Sequence, residues 1–215
     1  MKIVDLTHVM SCEMPVYPGT EKPKFDPANT YEKDGFKETR ISMFSHTGTH
    51  MDPPAHLFAG RTTLDQFDAS QFVGSACVID CTDVQAGGRM TMAHVNKNRE
   101  HADRAEFLLF RTGWDRYWGK EEYFGEYPYI DDEVAAYIIE GKKKGVGLDV
   151  IGLDPISDEN LTLHKKLLRE NEIVIIENLT NLDKLGNGLF TLCALPLRYE
   201  NADGSPIRAI AMKEE

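Results

Sequence analysis

Apolar residues in this chain come in short runs separated by polar segments rich in Gly and Pro, and the period within each run assigns it an element. Residues 2–7 alternate as a first strand. Residues 72–80 contain Val-Gly-Ser-Ala-Cys-Val-Ile, and 105–111 read Ala-Glu-Phe-Leu-Leu-Phe-Arg, both patterns of buried strands. Residues 150–154, 173–176, 189–197 and 207–212 are further strand candidates. Between them lie helical stretches: 92–99, capped by Thr91; 131–140, with acids in its first turn, Lys142–Lys144 as its solvated end and Gly145 and Gly147 as its stop; and 161–170, which carries His164. Residues 21–38 are polar and irregular, which predicts a surface loop or lid with short extended pieces, anchored by Phe25 and Phe36. Residues 39–45 then form a strand. Strand, helix, strand in this order argues for an α/β architecture. With no internal repeat or linker, residues 1–215 are expected to form one domain.

Composition narrows the function classes. The chain has 215 residues, 41% of them hydrophobic and 27% charged, as expected of a soluble globular protein. Its net charge of −11 argues against nucleic acid as a partner, since phosphate contact needs clustered basic residues. No apolar run is long enough for a membrane span, and the N-terminus lacks the pattern of a signal peptide, so a cytoplasmic location is the default. Cys12, Cys77, Cys81 and Cys193 form no C-x-x-C pair; Cys77 and Cys81 flank a buried-strand pattern and read as small hydrophobes.

The candidate chemistry concentrates in residues 46–56, His-Thr-Gly-Thr-His-Met-Asp-Pro-Pro-Ala-His, which hold three of the seven histidines and an aspartate. Thr47, Thr49 and the Pro53-Pro54 stop favour an extended segment, which puts His46, His50 and Asp52 on one face. Four residues of strand span about 13 Å, too far for two imidazoles to share an ion comfortably, so a bend or bulge is expected at Gly48. Two neutral imidazoles and a carboxylate suit Zn²⁺ or Mn²⁺. His56, just past the two prolines, can face such a site as a general acid/base, with a third ligand as its competing role. Elsewhere, His8 is either a ligand or a structural histidine. Tyr17, in the rigid Met14-Pro15-Val16-Tyr17-Pro18-Gly19 loop, is either a pocket wall or packed on its own turn. Trp114 is either at a pocket or in the core, and Tyr123, Phe124, Tyr127 and Tyr129 are candidates for a pocket rim or subunit contact. Glu177, at the mouth of an apolar strand, needs a cation or hydrogen bonds, and His164 could approach it.

The stretch 46–56 matches H-x-G-T-H-x-D-x-P-x-H and resembles the metal-dependent cyclase family, which includes bacterial kynurenine formamidase and isatin hydrolase. Asp5-Leu6-Thr7-His8, the Pro-Gly loop, Arg111-Thr112-Gly113-Trp114 and Ile175-Ile176-Glu177-Asn178-Leu179 extend the resemblance along nearly the whole chain. It implies a swivelling β/α fold with a mixed central sheet and a homodimer or homotetramer. It also implies one or two divalent ions per subunit: His46, His50 and Asp52 at one, and His164 and Glu177 at a second that Asp52 bridges. His164 and Glu177 are thirteen residues apart, one more than the family pattern, with the extra residue in the 169–172 turn. Tyr17 and Thr20 stand where kynurenine formamidases usually carry Trp and Asp, the Trp contacting substrate. The activity so implied is hydrolysis of an amide C–N bond in a small molecule, with N-formylkynurenine as leading substrate and an isatin-like cyclic amide as the second; Tyr17, Phe25 and Trp114 are the aromatic residues suited to it. A non-catalytic metal-dependent binding protein is the reading from another class, and His56 counts against it. A structural zinc module would be expected to recruit cysteine.

Overall fold

The computed structural model describes residues 1–213. Twelve strands are present among them: β1 (Lys2–Asp5), β2 (Lys24–Asn29), β3 (Glu38–Ser42), β4 (His50–Asp52), β5 (Val73–Asp80), β6 (Arg89–Met90), β7 (Phe107–Arg111), β8 (Tyr129–Ile130), β9 (Gly145–Leu148), β10 (Val174–Glu177), β11 (Phe190–Pro196) and β12 (Ser205–Lys213). The α-helices are α1 (Tyr31–Asp34), α2 (Met92–Lys97), α3 (Arg99–Arg104), α4 (Asp132–Glu140) and α5 (Thr162–Leu168). No helix among the described residues is long and apolar enough to cross a membrane.

Eight strands form one mixed sheet in the order β1-β12-β11-β5-β7-β9-β10-β4, and a further pairing of β12 with β4 closes it into a barrel-like core. The run β5-β7-β9-β10 is parallel, while β11, β12, β1 and β4 join antiparallel. This is the α/β fold with a mixed central sheet that the sequence implies.

Strict alternation along the central strands divides the core in two. Ala76, Val78, Phe107, Leu109, Val174 and Ile176 point to the side enclosed by the sheet, with Met51, Leu192 and Ala209. Their neighbours Cys77, Ile79, Leu108, Phe110 and Ile175 point to the other side and meet the buried faces of α2–α5, among them Val95, Ala102, Val134, Ile138 and Leu167. The central strands are buried on both faces and therefore read as continuous apolar runs.

Several boundaries differ from the sequence expectation. Gly145 and Gly147 do not stop a helix; they lie in β9, where the enclosed side has no room for a side chain. A Cβ on Gly147 would come within 2.6 Å of Leu109 Cδ2 and 2.7 Å of Leu179 Cδ1. The strand expected at 150–154 is accordingly shifted to Gly145–Leu148, and 149–154 is the loop leaving it. Of the basic run only Lys142 is fully exposed: the Lys143 ammonium is buried and donates to the carbonyls of Ala102, Asp103 and Ala105 at the end of α3. Lys144 donates to Ser70 O and Val73 O and pairs with Glu106. The extended piece within 21–38 is β2, followed by α1, and it pairs antiparallel with β3, the strand expected from residue 39, so the segment is one arm of a ribbon. Phe36 does not anchor it, being 52% exposed. Tyr123 and Tyr127 belong to the core and not to a rim: their hydroxyls donate to Asn178 Oδ1 and Asp154 O, both at 2.6 Å.

The crowding at Gly147 gives a stability prediction. Gly147→Ala overpacks the enclosed core and should cost about 1–3 kcal/mol. Gly188→Ala meets nothing within 4 Å and should stay within about 0.5 kcal/mol of the parent. Urea denaturation of the two variants measures the difference.

Candidate active site

The register between β4 and β10 builds the centre of the site. His50 is opposite Glu177 in this antiparallel pair, so both side chains emerge on one face, and Asp52, two residues along β4, emerges beside them. All three are at least 95% buried. The chain bends before β4 at Gly48, whose φ of +69° is a left-handed conformation that glycine adopts without penalty. The expected extended face therefore covers only 50–52, and the bend brings His46 back so that its Nδ1 lies 2.6 Å from Asp52 Oδ1.

His164 approaches from α5. Asp154, in the loop after β9, accepts from the backbone N–H groups of Leu163 and His164 at 2.6 and 2.9 Å and lies 2.6 Å from His164 Nδ1. This turns His164 Nε2 towards Glu177 Oε1 at 3.2 Å and Asp52 Oδ2 at 3.6 Å. The thirteen-residue separation from Glu177 thus leaves His164 inside the cluster. On the other side, His50 Nδ1 is 2.9 Å from Gly48 O, which directs its Nε2 towards Asp52 Oδ1 at 3.3 Å and Glu177 Oε2 at 3.5 Å. Each of these two imidazoles has one nitrogen fixed by an outer acceptor and the other aimed inward, the arrangement that orients histidine for a metal.

The donor set fits divalent ions. His46, His50 and Asp52 form one group of ligand atoms within 4.8 Å of one another, and Asp52, His164 and Glu177 form a second. Asp52 is common to both, with Oδ1 facing His46 and His50 and Oδ2 facing His164. Buried carboxylates so close together require positive charge between them. Burial works against a proton on His50, but Asp52 and Glu177 outweigh it and hold its imidazole at about 9. His164 is likewise held well above the usual histidine range, by Asp154, Asp52 and Glu177 against the burial penalty. Burial would raise the Asp52 carboxyl, yet His50 and His46 keep it well below the usual carboxylate range. A divalent cation supplies the same compensation without protons.

His56 ends a 3₁₀ turn, Pro54–His56, that Pro53 and Pro54 direct towards the cluster. Its ring is 3.9 Å from that of His46 and 6.1 Å from that of His164, and it belongs to neither three-ligand group. Burial pushes its imidazole below the usual histidine range, only partly countered by Asp52.

The cluster forms the floor of a cavity of about 720 Å³ whose walls include Tyr17, Phe44, Ile151 and Ile156. Of the three aromatic residues suited to a planar substrate, only Tyr17 lines it. Trp114 is in the core, its Nε1–H donating to Tyr123 O at 3.1 Å, and Phe25 lies on the β2–β3 ribbon. Phe44 was not legible as a wall, because nothing in its polar surroundings sets it apart. Asp154 and Asn178 also escape sequence reasoning. Asn178 adopts a left-handed φ of 58°, donates through Nδ2 to Gly48 O at 2.9 Å and accepts the Thr49 hydroxyl on its carbonyl at 2.6 Å, tying the end of β10 to the bend before β4. His8 joins neither ligand group. Its ring stacks on Trp118 with centroids 3.9 Å apart and planes 5° from parallel, while its backbone N–H donates to Thr49 Oγ1.

Comparison with known proteins gives consistent results. A family model described as putative cyclase matches residues 4–155. The kynurenine formamidase of Bacillus cereus is 31% identical over 210 residues, covering 96% of this chain and 95% of that protein. The Bacillus anthracis kynurenine formamidase is 30% identical over 212 residues, with 97% and 96% covered. Among solved structures, an isatin hydrolase bound to the product analogue thioisatinate superposes with a TM-score of 0.84 at 26% identity, covering 100% of this chain and 93% of that one. A protein from Bacillus stearothermophilus described as a predicted metal-dependent hydrolase gives 0.77 at 28% identity, with 98% and 97% covered.

The half-buried stack of His8 on Trp118 makes a pH prediction. Burial lowers its imidazole from 6.5 to about 4. The unfolded chain therefore binds a proton at higher pH than the folded one, and this contribution to stability is present above pH 6.5 and lost as pH falls towards 4. His8→Phe keeps a ring against Trp118 without the proton, so its stability should fall less steeply between pH 6.5 and 4 than that of the parent. Thermal melts across that range test this; parallel curves for the two proteins would exclude it.

Proposed function

The chain belongs to the cyclase family, and on that premise we propose that it is a metal-dependent hydrolase of amide C–N bonds in small molecules, with N-formylkynurenine as leading substrate. The observation that carries this reading is the pair of buried three-ligand groups joined through Asp52 on the floor of the cavity. In this reading His46, His50 and Asp52 hold one divalent ion, and Asp52, His164 and Glu177 a second, Zn²⁺ or Mn²⁺ at one or two per subunit. Bound there, a divalent cation supplies Lewis acidity at a carbonyl and lowers the pKa of water to about 7.

The side chains then have separate tasks. Gly48 O and Asp154 fix the rings of His50 and His164, so that the ligand atoms are set before substrate arrives. Tyr17, Phe44, Ile151 and Ile156 form an apolar wall for an aromatic ring and keep bulk water from it. His56, beside the cluster but outside both ligand groups, takes up a proton and returns it to the leaving nitrogen. The cyclic-amide reading is kept as a second because of the overall superposition on isatin hydrolase. We further propose a single domain over 1–215, a homodimer or homotetramer, and a cytoplasmic location.

Purified protein supplied with Zn²⁺ or Mn²⁺ should hydrolyse N-formylkynurenine to kynurenine and formate, and chelator should abolish this. No turnover by metal-loaded protein would reject that substrate and move the assay to isatin. His56→Ala should keep its metal content while kcat falls about 10²–10⁴-fold. Loss of metal along with activity would instead make His56 a ligand.

A further inference from the structure

His46 differs from the other two histidines of the cluster. His50 and His164 each turn Nδ1 to an outer acceptor and Nε2 inward. His46 is reversed: Nδ1 faces Asp52, and Nε2 is buried without a hydrogen bond. Among the described residues, one carboxylate lies within 4 Å of that nitrogen, Asp203, with Oδ2 at 3.4 Å.

Asp203 is itself held from several sides. Its Oδ2 accepts from Ser45 Oγ at 3.2 Å, and its Oδ1 lies 3.1 Å from the Tyr199 hydroxyl, whose single proton it shares with Gly204 O. The flanking backbone is anchored: Ala202 N–H donates to Asp65 Oδ1 at 3.1 Å, and Ala202 O accepts from Leu64 N–H at 3.0 Å. Gly204 packs against the His46 ring so closely that a Cβ there would overlap the imidazole. Immediately afterwards Ser205 and Pro206 pair with Met51 and His50, the contact that closes the sheet. The segment that completes the barrel therefore also forms one wall of His46.

We propose that Asp203 is a positioning residue for His46, accepting its Nε2–H and so presenting Nδ1 to the ligand set formed with His50 and Asp52. It would do for His46 what Asp154 does for His164 and Gly48 O for His50, so that every imidazole of the cluster has its own outer acceptor. A histidine held only by packing has nothing to fix its tautomer, whereas an acceptor at Nε2 keeps the proton there and leaves the Nδ1 lone pair facing the ligand set. This inference rests on the two-metal reading of the site.

Co²⁺ binding to the metal-free protein tests it, followed by the visible absorption of the ion and by competition with a chelator. Asp203→Ala should weaken one of two positions about 10–100-fold and alter its absorption bands, leaving the other within a few-fold. Asp203→Asn, which keeps an acceptor oxygen, should recover most of that loss. Tyr199→Phe leaves the carboxylate but removes the phenol that steadies it, and serves if Asp203→Ala does not fold; it should weaken the same position by a smaller factor. Unchanged affinity at both positions in the alanine variant, or an equal loss at both, overturns the role of Asp203. If Asp203→Ala does not fold, an unchanged Tyr199→Phe does so. A parent protein that binds no Co²⁺ overturns the metal reading itself.

Discussion

Asp52 and Glu177 are carboxylates 1% and 5% exposed, brought beside one another where β4 pairs with β10. Placing two such groups out of water is unfavourable by several kcal/mol each unless compensated. Much of the architecture around them can be understood as that compensation. Three imidazoles face them, the backbone N–H of Leu153 donates to Glu177 Oε1 at 2.7 Å, and the outer partners Asp154 and Gly48 O keep two of the imidazoles in place.

Closure of the sheet is what makes this arrangement possible. β4 is only three residues long, yet it is held on one side by β10 and on the other by the start of β12. That double pairing fixes the register in which His50 meets Glu177; a slip of one residue would turn Asp52 and His50 to the opposite face. The parallel strands contribute the other half. The loop after β9 delivers Asp154, the following helix delivers His164, and β10 ends in Glu177, so these side chains gather beyond the C-terminal ends of parallel strands, where open α/β sheets also place their sites.

The cavity above the cluster separates chemistry from selection. Its floor consists of the residues that the motif specifies, whereas its walls come from loops, Tyr17 from the Pro-bounded segment and Phe44 from the link between the ribbon and the metal stretch. Tyr17 is 39% exposed and thus free to meet a ligand.

What the amino-acid order determines by itself is local. The short continuous apolar runs mark β5, β7 and β10 because strands buried on both faces must be apolar throughout. The cap at Thr91 and the acidic first turn from Asp131 mark the starts of α2 and α4. The spacing of His46, Gly48, His50 and Asp52 implies the bend that lets one short segment gather two imidazoles and a carboxylate. The partners of those ligands depend on tertiary structure. Asp154, Asn178 and Asp203 are ordinary polar residues in sequence and reach the site only because β9, β10 and β12 converge on it. Lys143 shows the same limit: in sequence it is one of three lysines at a helix end, and only the packing of α3 supplies the three carbonyls that bury it. Gly145 and Gly147 read as helix stops because a missing side chain carries no record of the Phe107 and Leu109 rings and methyls that occupy its space. Short-range pattern is set by backbone preference and burial period, whereas these contacts are set by which strands meet.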